Sequence, residues 1–180
     1  MIYVFLADGF EEIEALATVD ILRRAEIETV TVGVGTKTPT GTHGITVTAD
    51  ITEEETTKSD LDGVVLPGGL PGAWNLMDSA KVRELTEYCF NSGKLVSAIC
   101  AAPSVLGDWG MLRGKKAVCY PGFEDRLIGA EIADAPAVTD GMTVTGKGAG
   151  AAVEFALAVV AALRSQNLAE SIREAMQCAR

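Results

Sequence analysis

The chain has 180 residues, of which 48% are apolar and 22% are charged. This length suits one domain with a sizeable core, and we predict a single domain over residues 1–180. The net charge of -10, with no basic stripe in the sequence, excludes a nucleic-acid role driven by phosphate contacts.

Neither a targeting segment nor a membrane span is expected. Residues 2–7 are apolar, but no cationic segment precedes them and Asp8 follows directly. No apolar run approaches the length of a membrane span. We therefore expect a cytoplasmic protein with no membrane partner.

Cysteine and histidine usage argues against a metal centre. The four cysteines form no C-x-x-C pair, and a single histidine gives no zinc pattern. A disulfide framework is not expected in a chain without a secretory signal. The cysteines are Cys89, Cys100, Cys119 and Cys178.

Strand and helix patterns alternate along the chain. Apolar or β-branched runs predict strands, and apolar residues at helical spacing predict helices. The predicted strands are residues 2–7, 29–34, 45–49, 63–66, 94–99, 116–120, 137–139 and 142–145. The predicted helices are residues 11–25, 80–91, 102–109, 149–163 and 168–178. This alternation predicts a doubly wound α/β sandwich with a mostly parallel sheet, whose ligand site lies at the carboxyl ends of the strands.

Cys100 follows a buried strand pattern and precedes Ala101, Ala102 and Pro103. The chain must turn sharply there into a helix, as it does at a nucleophile elbow. A helix N-terminus next to the sulfur favours a thiolate. The motif alone leaves open a second interpretation, in which Cys100 is a small hydrophobe of the core.

Glu14 begins the first helix at the same predicted sheet edge. It borders an apolar stripe of Ile13, Leu16, Ala17 and Ile21. An ionised Glu14 would raise the pKa of a neighbouring thiol, whereas a protonated Glu14 would donate to the thiolate and lower it. The helix dipole alone would also explain acidic residues in a first turn.

Glycines follow the predicted strand at residues 63–66. Gly68 and Gly69 allow backbone N–H groups to point at a ligand, and the Gly69 and Ala101 N–H groups could form an oxyanion hole. A plain tight turn is the alternative. His43 lies in a loop, where an exposed histidine is the simpler interpretation than a partner for Cys100.

Five segments together resemble one family. They are residues 9–14, 19–25, 65–69, 98–103 and 148–157, in this order along almost the whole chain. They closely resemble the ThiJ/PfpI superfamily, and within it the Parkinson-linked DJ-1 branch and its bacterial relatives. The resemblance implies a flavodoxin-like three-layer sandwich and a homodimer.

The resemblance also implies roles for the elbow residues. Cys100 matches the family's nucleophile and redox-sensitive thiol, and Glu14 matches its protonated acidic partner. Gly69 and Ala101 match the backbone oxyanion donors.

Four further residues are pocket candidates. Gly68 adjoins the oxyanion donor, and Arg24 matches an arginine near a dimer-side anion pocket. His43 replaces an arginine that reaches the neighbouring subunit's site in many relatives. Tyr120 stands where many relatives carry a histidine, so a Cys–His–Glu triad in cis and protease activity are not expected.

The implied function is cysteine-dependent chemistry on methylglyoxal-type 2-oxoaldehydes or their adducts, of the glyoxalase or deglycase kind. The Cys100 thiolate would add to the aldehyde and Glu14 would move the proton, with no metal or organic cofactor. The alternative is a redox sensor or stress chaperone that works through oxidation of Cys100 without turnover.

Overall fold

The computed structural model describes residues 1–178, in which strands and helices alternate. The strands are β1 (Ile2–Ala7), β2 (Thr29–Val34), β3 (Ile51–Thr52), β4 (Gly63–Leu66), β5 (Leu95–Ile99), β6 (Lys116–Ala117), β7 (Glu131–Ile132), β8 (Ala137–Asp140) and β9 (Thr143–Gly146). The helices are α1 (Glu12–Arg24), α2 (Gly72–Asp78), α3 (Ala80–Asn91), α4 (Pro103–Asp108), α5 (Ala152–Leu163) and α6 (Gln166–Ala175).

Seven strands form one sheet in the order β3-β2-β1-β4-β5-β9-β8. Every neighbouring pair is parallel except β8 and β9, which are antiparallel and joined by a tight turn. The carboxyl ends of β1, β4, β5 and β9 therefore meet at one edge of the sheet. The predicted α/β fold with a mostly parallel sheet is confirmed.

Helices cover both faces of this sheet, and β1 shows why. All six residues of β1 are buried, and successive side chains point to opposite faces. Tyr3 and Phe5 belong to the core beneath α2, α3 and α4. Ile2, Val4 and Leu6 belong to the core beneath α1, α5 and α6. A strand buried on both faces needs a continuous apolar run, which is why this element was readable from sequence.

The buried face of α1 differs from the predicted stripe. Ile13 is 59% exposed, and of the four stripe residues only Ile21 is fully buried. The helix instead turns Glu14, Ala15 and Val19 inward. The stripe prediction was wrong because it placed Glu14 only at the border of the buried face, whereas the fold supplies a backbone donor that allows its carboxyl group to be fully buried.

The predicted strand at residues 45–49 is also wrong. Its Thr46 makes one isolated bridge to Thr40, and its backbone otherwise bonds an irregular loop at residues 37–41. Pro39 in that loop has no N–H with which to continue a ladder. The strand that extends the sheet beside β2 is the shorter β3.

Residues 116–120 form a shorter strand than predicted. Only the two residues of β6 are in a ladder, and their partner is β7 rather than the main sheet. Beyond Ala117 the chain leaves the ladder, because the N–H of Val118 donates to the Thr145 side chain and the N–H of Tyr120 donates to the carbonyl of Cys100. This detour brings Tyr120 to the elbow.

Helix α2 has no counterpart among the predicted elements. Pro71 and Gly72 at its start are typical turn residues, yet Ala73 and Leu76 bury the helix against the core. The remaining predicted elements lie within about three residues of the observed ones, the usual uncertainty of element ends. Among the described residues, no helix has the length and apolar character to cross a bilayer.

Candidate active site

Cys100 lies on a strained turn between β5 and α4. Its φ is 65°, in the left-handed region that side chains other than glycine avoid at a cost of about 1–2 kcal/mol. Two hydrogen bonds hold this turn: the Cys100 N–H donates to the Gly146 carbonyl at 2.9 Å, and the Tyr120 N–H donates to the Cys100 carbonyl at 2.8 Å. The predicted sharp turn from strand to helix is present, and it places Cys100 at the carboxyl edge of the sheet.

Glu14 lies beneath the elbow and is completely buried. Its Oε2 accepts the Gly68 N–H at 2.8 Å, while no hydrogen-bond partner for its Oε1 is found among residues 1–178. Burial raises the pKa of Glu14 to about 7, opposed by the neighbouring Cys100 side chain and by the hydrogen bond from the Gly68 backbone. Near neutral pH this carboxyl group is therefore poised between its two protonation states.

The ionisation of Cys100 is coupled to that of Glu14. Burial and the charge of an ionised Glu14 raise the pKa of Cys100 to about 12, and the N–H groups of Gly69 and Ala101 oppose that rise by donating to the sulfur. Each group resists ionisation while the other is charged. The pair therefore carries one negative charge between its two side chains above neutral pH.

The glycine loop after β4 leaves no space for side chains. A Cβ on Gly68 would lie 2.6 Å from the Cys100 Cβ and 2.8 Å from Glu14 Oε2. Gly69 has a φ of 85°, and its Cβ would lie 2.4 Å from the carbonyl oxygen of Gly9. These glycines let the loops after β1 and β4 interlock, which aims the Gly69 N–H at the sulfur.

The structure places the other pocket candidates at different distances from Cys100. Tyr120 adjoins the elbow and is 50% exposed. Arg24 pairs with Asp20 on the exposed face of α1, about 15 Å along the helix from Glu14. The structure does not bring Arg24 to the Cys100 pocket of its own chain.

His43 is an exposed loop histidine held by Glu12. Its Nδ1 lies 2.8 Å from Glu12 Oε2, and its N–H donates to Glu12 Oε1 at 2.7 Å. The hydrogen bond and the charge of Glu12 raise the pKa of His43. Within residues 1–178, the hydrogen-bond and ion-pair partners of His43 are Glu12 and Glu11, not Cys100.

Sequence reasoning missed the role of Glu12. Its carboxylate is buried and organises residues 41–45, with N–H donors from His43 and Ile45. Burial would raise the pKa of Glu12, but the hydrogen bond from the His43 side chain, together with those from the loop backbone, outweighs it and lowers the pKa. The only signal in the sequence was a pair of adjacent acidic residues at the start of a helix, and the helix dipole alone was enough to explain them.

Glu11, Glu12 and His43 also offer ligand atoms within 4.8 Å of one another, which could in principle hold a metal ion. The Glu12 oxygens already accept hydrogen bonds from the loop, and the positive end of α1 disfavours a cation. We assign no metal to this cluster.

The remaining cysteines differ from Cys100 in their surroundings. Cys89 and Cys119 are buried, and burial raises the pKa of each thiol to about 11. Cys178 is half-buried near the end of the described chain.

The fold and the site define an α/β protein whose elbow cysteine faces a buried carboxyl group. A family model described as the DJ-1/PfpI family matches residues 1–162. The chain belongs to this family.

Two curated relatives have the same sequence identity to this chain but are covered by it to different extents. Protein DJ-1 homolog A of Arabidopsis thaliana is 34% identical over 171 residues, which cover 93% of this chain and 44% of that protein. The chain thus spans less than half of that relative's length. A Pyrococcus abyssi protein named as a deglycase is 34% identical over 149 residues, which cover 81% of this chain and 89% of the relative.

Solved structures show the same fold. A DJ-1 superfamily protein of Salmonella typhimurium superposes with a TM-score of 0.93 at 35% identity, over 99% of this chain and 98% of that chain. An oxidized DJ-1 of Toxoplasma gondii superposes with a TM-score of 0.91 at 34% identity, over the same shares of both chains.

Proposed function

We propose that the protein is a cofactor-independent, cysteine-dependent enzyme of the glyoxalase or deglycase type. Its substrates are methylglyoxal-type 2-oxoaldehydes or their adducts. The observation that carries the proposal is the unpartnered, buried Oε1 of Glu14 beside a cysteine that receives two backbone N–H groups. The relative from Pyrococcus abyssi that is named as a deglycase supports this class of chemistry.

The negative charge of the pair belongs on sulfur. Cys100 is half-buried and has two backbone N–H donors, whereas the Glu14 carboxyl group is fully buried and has one backbone N–H donor. Charge is more stable where solvent and donors are more plentiful. A proton on Glu14 Oε1 that donates to the thiolate satisfies both groups.

The reaction then needs only these residues and water. The thiolate adds to the aldehyde carbon, and the Gly69 and Ala101 N–H groups stabilise the oxygen that becomes negative. The Glu14 proton neutralises this oxygen and gives a hemithioacetal.

The next steps return the enzyme to its starting state. The Glu14 carboxylate removes the proton from the former aldehyde carbon and returns it to the neighbouring carbon, which changes the hemithioacetal into a thioester. The first carbon is oxidised and the second is reduced, so no external oxidant is needed. Water hydrolyses the thioester, releasing a 2-hydroxy acid and the Cys100 thiol, whose proton passes to the Glu14 carboxylate and restores the starting pair.

Oxidation sensing is the second candidate function. An oxidized DJ-1 is among the similar structures, and Cys100 is more accessible than Cys89 or Cys119. Glu14 Oε1 would donate to an oxygen of a Cys100 sulfinic acid. Intact-mass analysis after mild peroxide should show two added oxygens in the wild type and none in Cys100→Ser; equal oxidation of all cysteines would contradict sensing.

Turnover is tested with methylglyoxal, by measuring its loss and the lactate formed. We expect Cys100→Ser to abolish activity and Glu14→Gln to lower kcat by about 100-fold or more, since an amide cannot carry the proton. Cys178→Ser is the matched control and should keep wild-type activity. Full turnover by Cys100→Ser would refute the mechanism.

We also propose that the protein is a homodimer. Ile13 and Ile45 flank Glu12 and are 59% and 54% exposed, so a second copy would cover apolar surface there. Sedimentation velocity tests this proposal, and a monomer at micromolar concentration would contradict it.

A further inference from the structure

Tyr120 connects the elbow to an apolar cavity. Its N–H is bonded to the Cys100 carbonyl, and its side chain lines a cavity of about 540 Å³. Such a volume lies in the range of small-molecule sites. The other lining residues are Pro121, Asp134, Ala135, Pro136, Lys147 and the segment 148–151.

The position of the Tyr120 ring follows from the sheet order. Cys100 ends β5, and Gly148 follows the neighbouring strand β9. A Cβ on Gly148 would lie 3.2 Å from the Tyr120 ring, so the ring lies against the β9 side of the elbow. Tyr120 is thus joined to Cys100 through its backbone and faces the cavity with its ring, so the cavity begins beside the elbow residue.

Other aromatic side chains support the Tyr120 ring, either directly or through one another. Phe123 meets the Tyr120 ring edge-on, with centroids 6.5 Å apart, and Trp74 lies 6.0 Å from Phe123. The Arg126 guanidinium stacks 4.2 Å from the Trp74 ring. This support fixes the Tyr120 ring, while half of the residue's surface stays accessible.

The charge of the cavity selects a neutral occupant. Its two charged residues, Lys147 and Asp134, pair with each other at 2.7 Å. Neither leaves an unmatched charge for an acidic or basic tail, while the prolines and alanines of the lining are apolar. An aromatic ring suits this lining, because it can pack on the Tyr120 face.

We propose that the Tyr120 cavity is a subsite for a neutral aryl substituent, so that aryl 2-oxoaldehydes are preferred over methylglyoxal. The inference rests on the proposed function for its chemistry, but recognition of the ring can be measured without turnover. Tyr120 acts here as a specificity-determining residue through its ring rather than its hydroxyl group.

The first experiment measures alkylation of Cys100 by iodoacetamide and by N-benzyliodoacetamide, with peptide mass spectrometry to follow this residue. We expect the ratio of the benzyl to the parent rate constant to fall about threefold to tenfold in Tyr120→Ala. Tyr120→Phe should keep the wild-type ratio, and Ala149→Phe, which fills the cavity, should lower it. Tyr88→Ala on α3 is the matched control and should keep the wild-type ratio of rate constants.

The second experiment compares kcat/KM for phenylglyoxal and methylglyoxal in the same variants. The phenylglyoxal to methylglyoxal ratio should exceed one in the wild type and fall about threefold to tenfold in Tyr120→Ala. Unchanged ratios in both Tyr120→Ala and Ala149→Phe, or an equal loss in Tyr88→Ala, would overturn the subsite. Absence of turnover with retained benzyl selectivity would refute the proposed function and leave the subsite standing.

Discussion

Replacing Glu14 by glutamine should remove a pH dependence from the stability of the protein. Burial raises the pKa of Glu14 from its ordinary value of 4.5 to about 7. Because an acid whose pKa is raised on folding binds its proton more tightly in the folded state, the stability that this proton contributes is fully present below pH 4.5. It is lost as the pH rises through about 7.

The size of the effect follows from the pKa change. A rise of about 2.5 pKa units, at about 1.36 kcal/mol each, gives about 3 kcal/mol. Relative to Glu14→Gln, the wild type should therefore lose about 3 kcal/mol of unfolding free energy between pH 4 and pH 8. The glutamine oxygen can still accept the Gly68 N–H, so any fixed cost of the substitution cancels in this comparison.

Urea unfolding of both proteins at several pH values measures this difference. Glu54→Gln changes an exposed carboxyl group and is the matched control, with an expected difference near zero at every pH. A difference between the wild type and Glu14→Gln that stays constant within about 1 kcal/mol from pH 4 to pH 8 would refute the argument from burial.

Two further predictions concern the surroundings of the site. Gly68→Ala should lower the unfolding free energy by about 1–3 kcal/mol, because its methyl group would overlap the Cys100 and Glu14 side chains; Gly150→Ala, where a Cβ meets open space, should be nearly neutral in the same urea titration. Glu12→Ala should lower the unfolding free energy by about 1–3 kcal/mol, because it leaves loop N–H groups without their acceptor. Limited proteolysis of this variant should then cut near residues 40–46. If limited proteolysis leaves residues 40–46 of Glu12→Ala intact, the second prediction is contradicted.

The sequence was most informative where a single physical requirement dominated. β1 and β5 are buried on both faces, so their apolar runs were continuous and their positions could be predicted. The elbow at Cys100 was predictable for a related reason, because small residues and a proline directly after such a strand leave few alternatives to a sharp turn.

The rest of the site depends on contacts between distant segments. Glu12 organises a loop about 30 residues further along the chain, and no local pattern signals that contact. Glu14 could be recognised only as a border residue, since the Gly68 N–H that allows its burial lies 54 residues away. The inward face of α1 was misjudged for the same reason, as a carboxyl group looks unsuited to a core until its donor is known.

Glu14 therefore discriminates between the two candidate functions better than Cys100 does. Both need the thiolate, and the Gly69 and Ala101 N–H groups can stabilise either a tetrahedral oxyanion or a sulfinate oxygen. A sulfinate needs Glu14 as a permanent donor, which requires only that it stays protonated. Turnover needs the same carboxyl group to lose and regain its proton in each cycle, and a pKa of about 7 makes both states accessible near neutral pH. Gly68 occupies Oε2, so a single oxygen, Oε1, must both take the proton and return it.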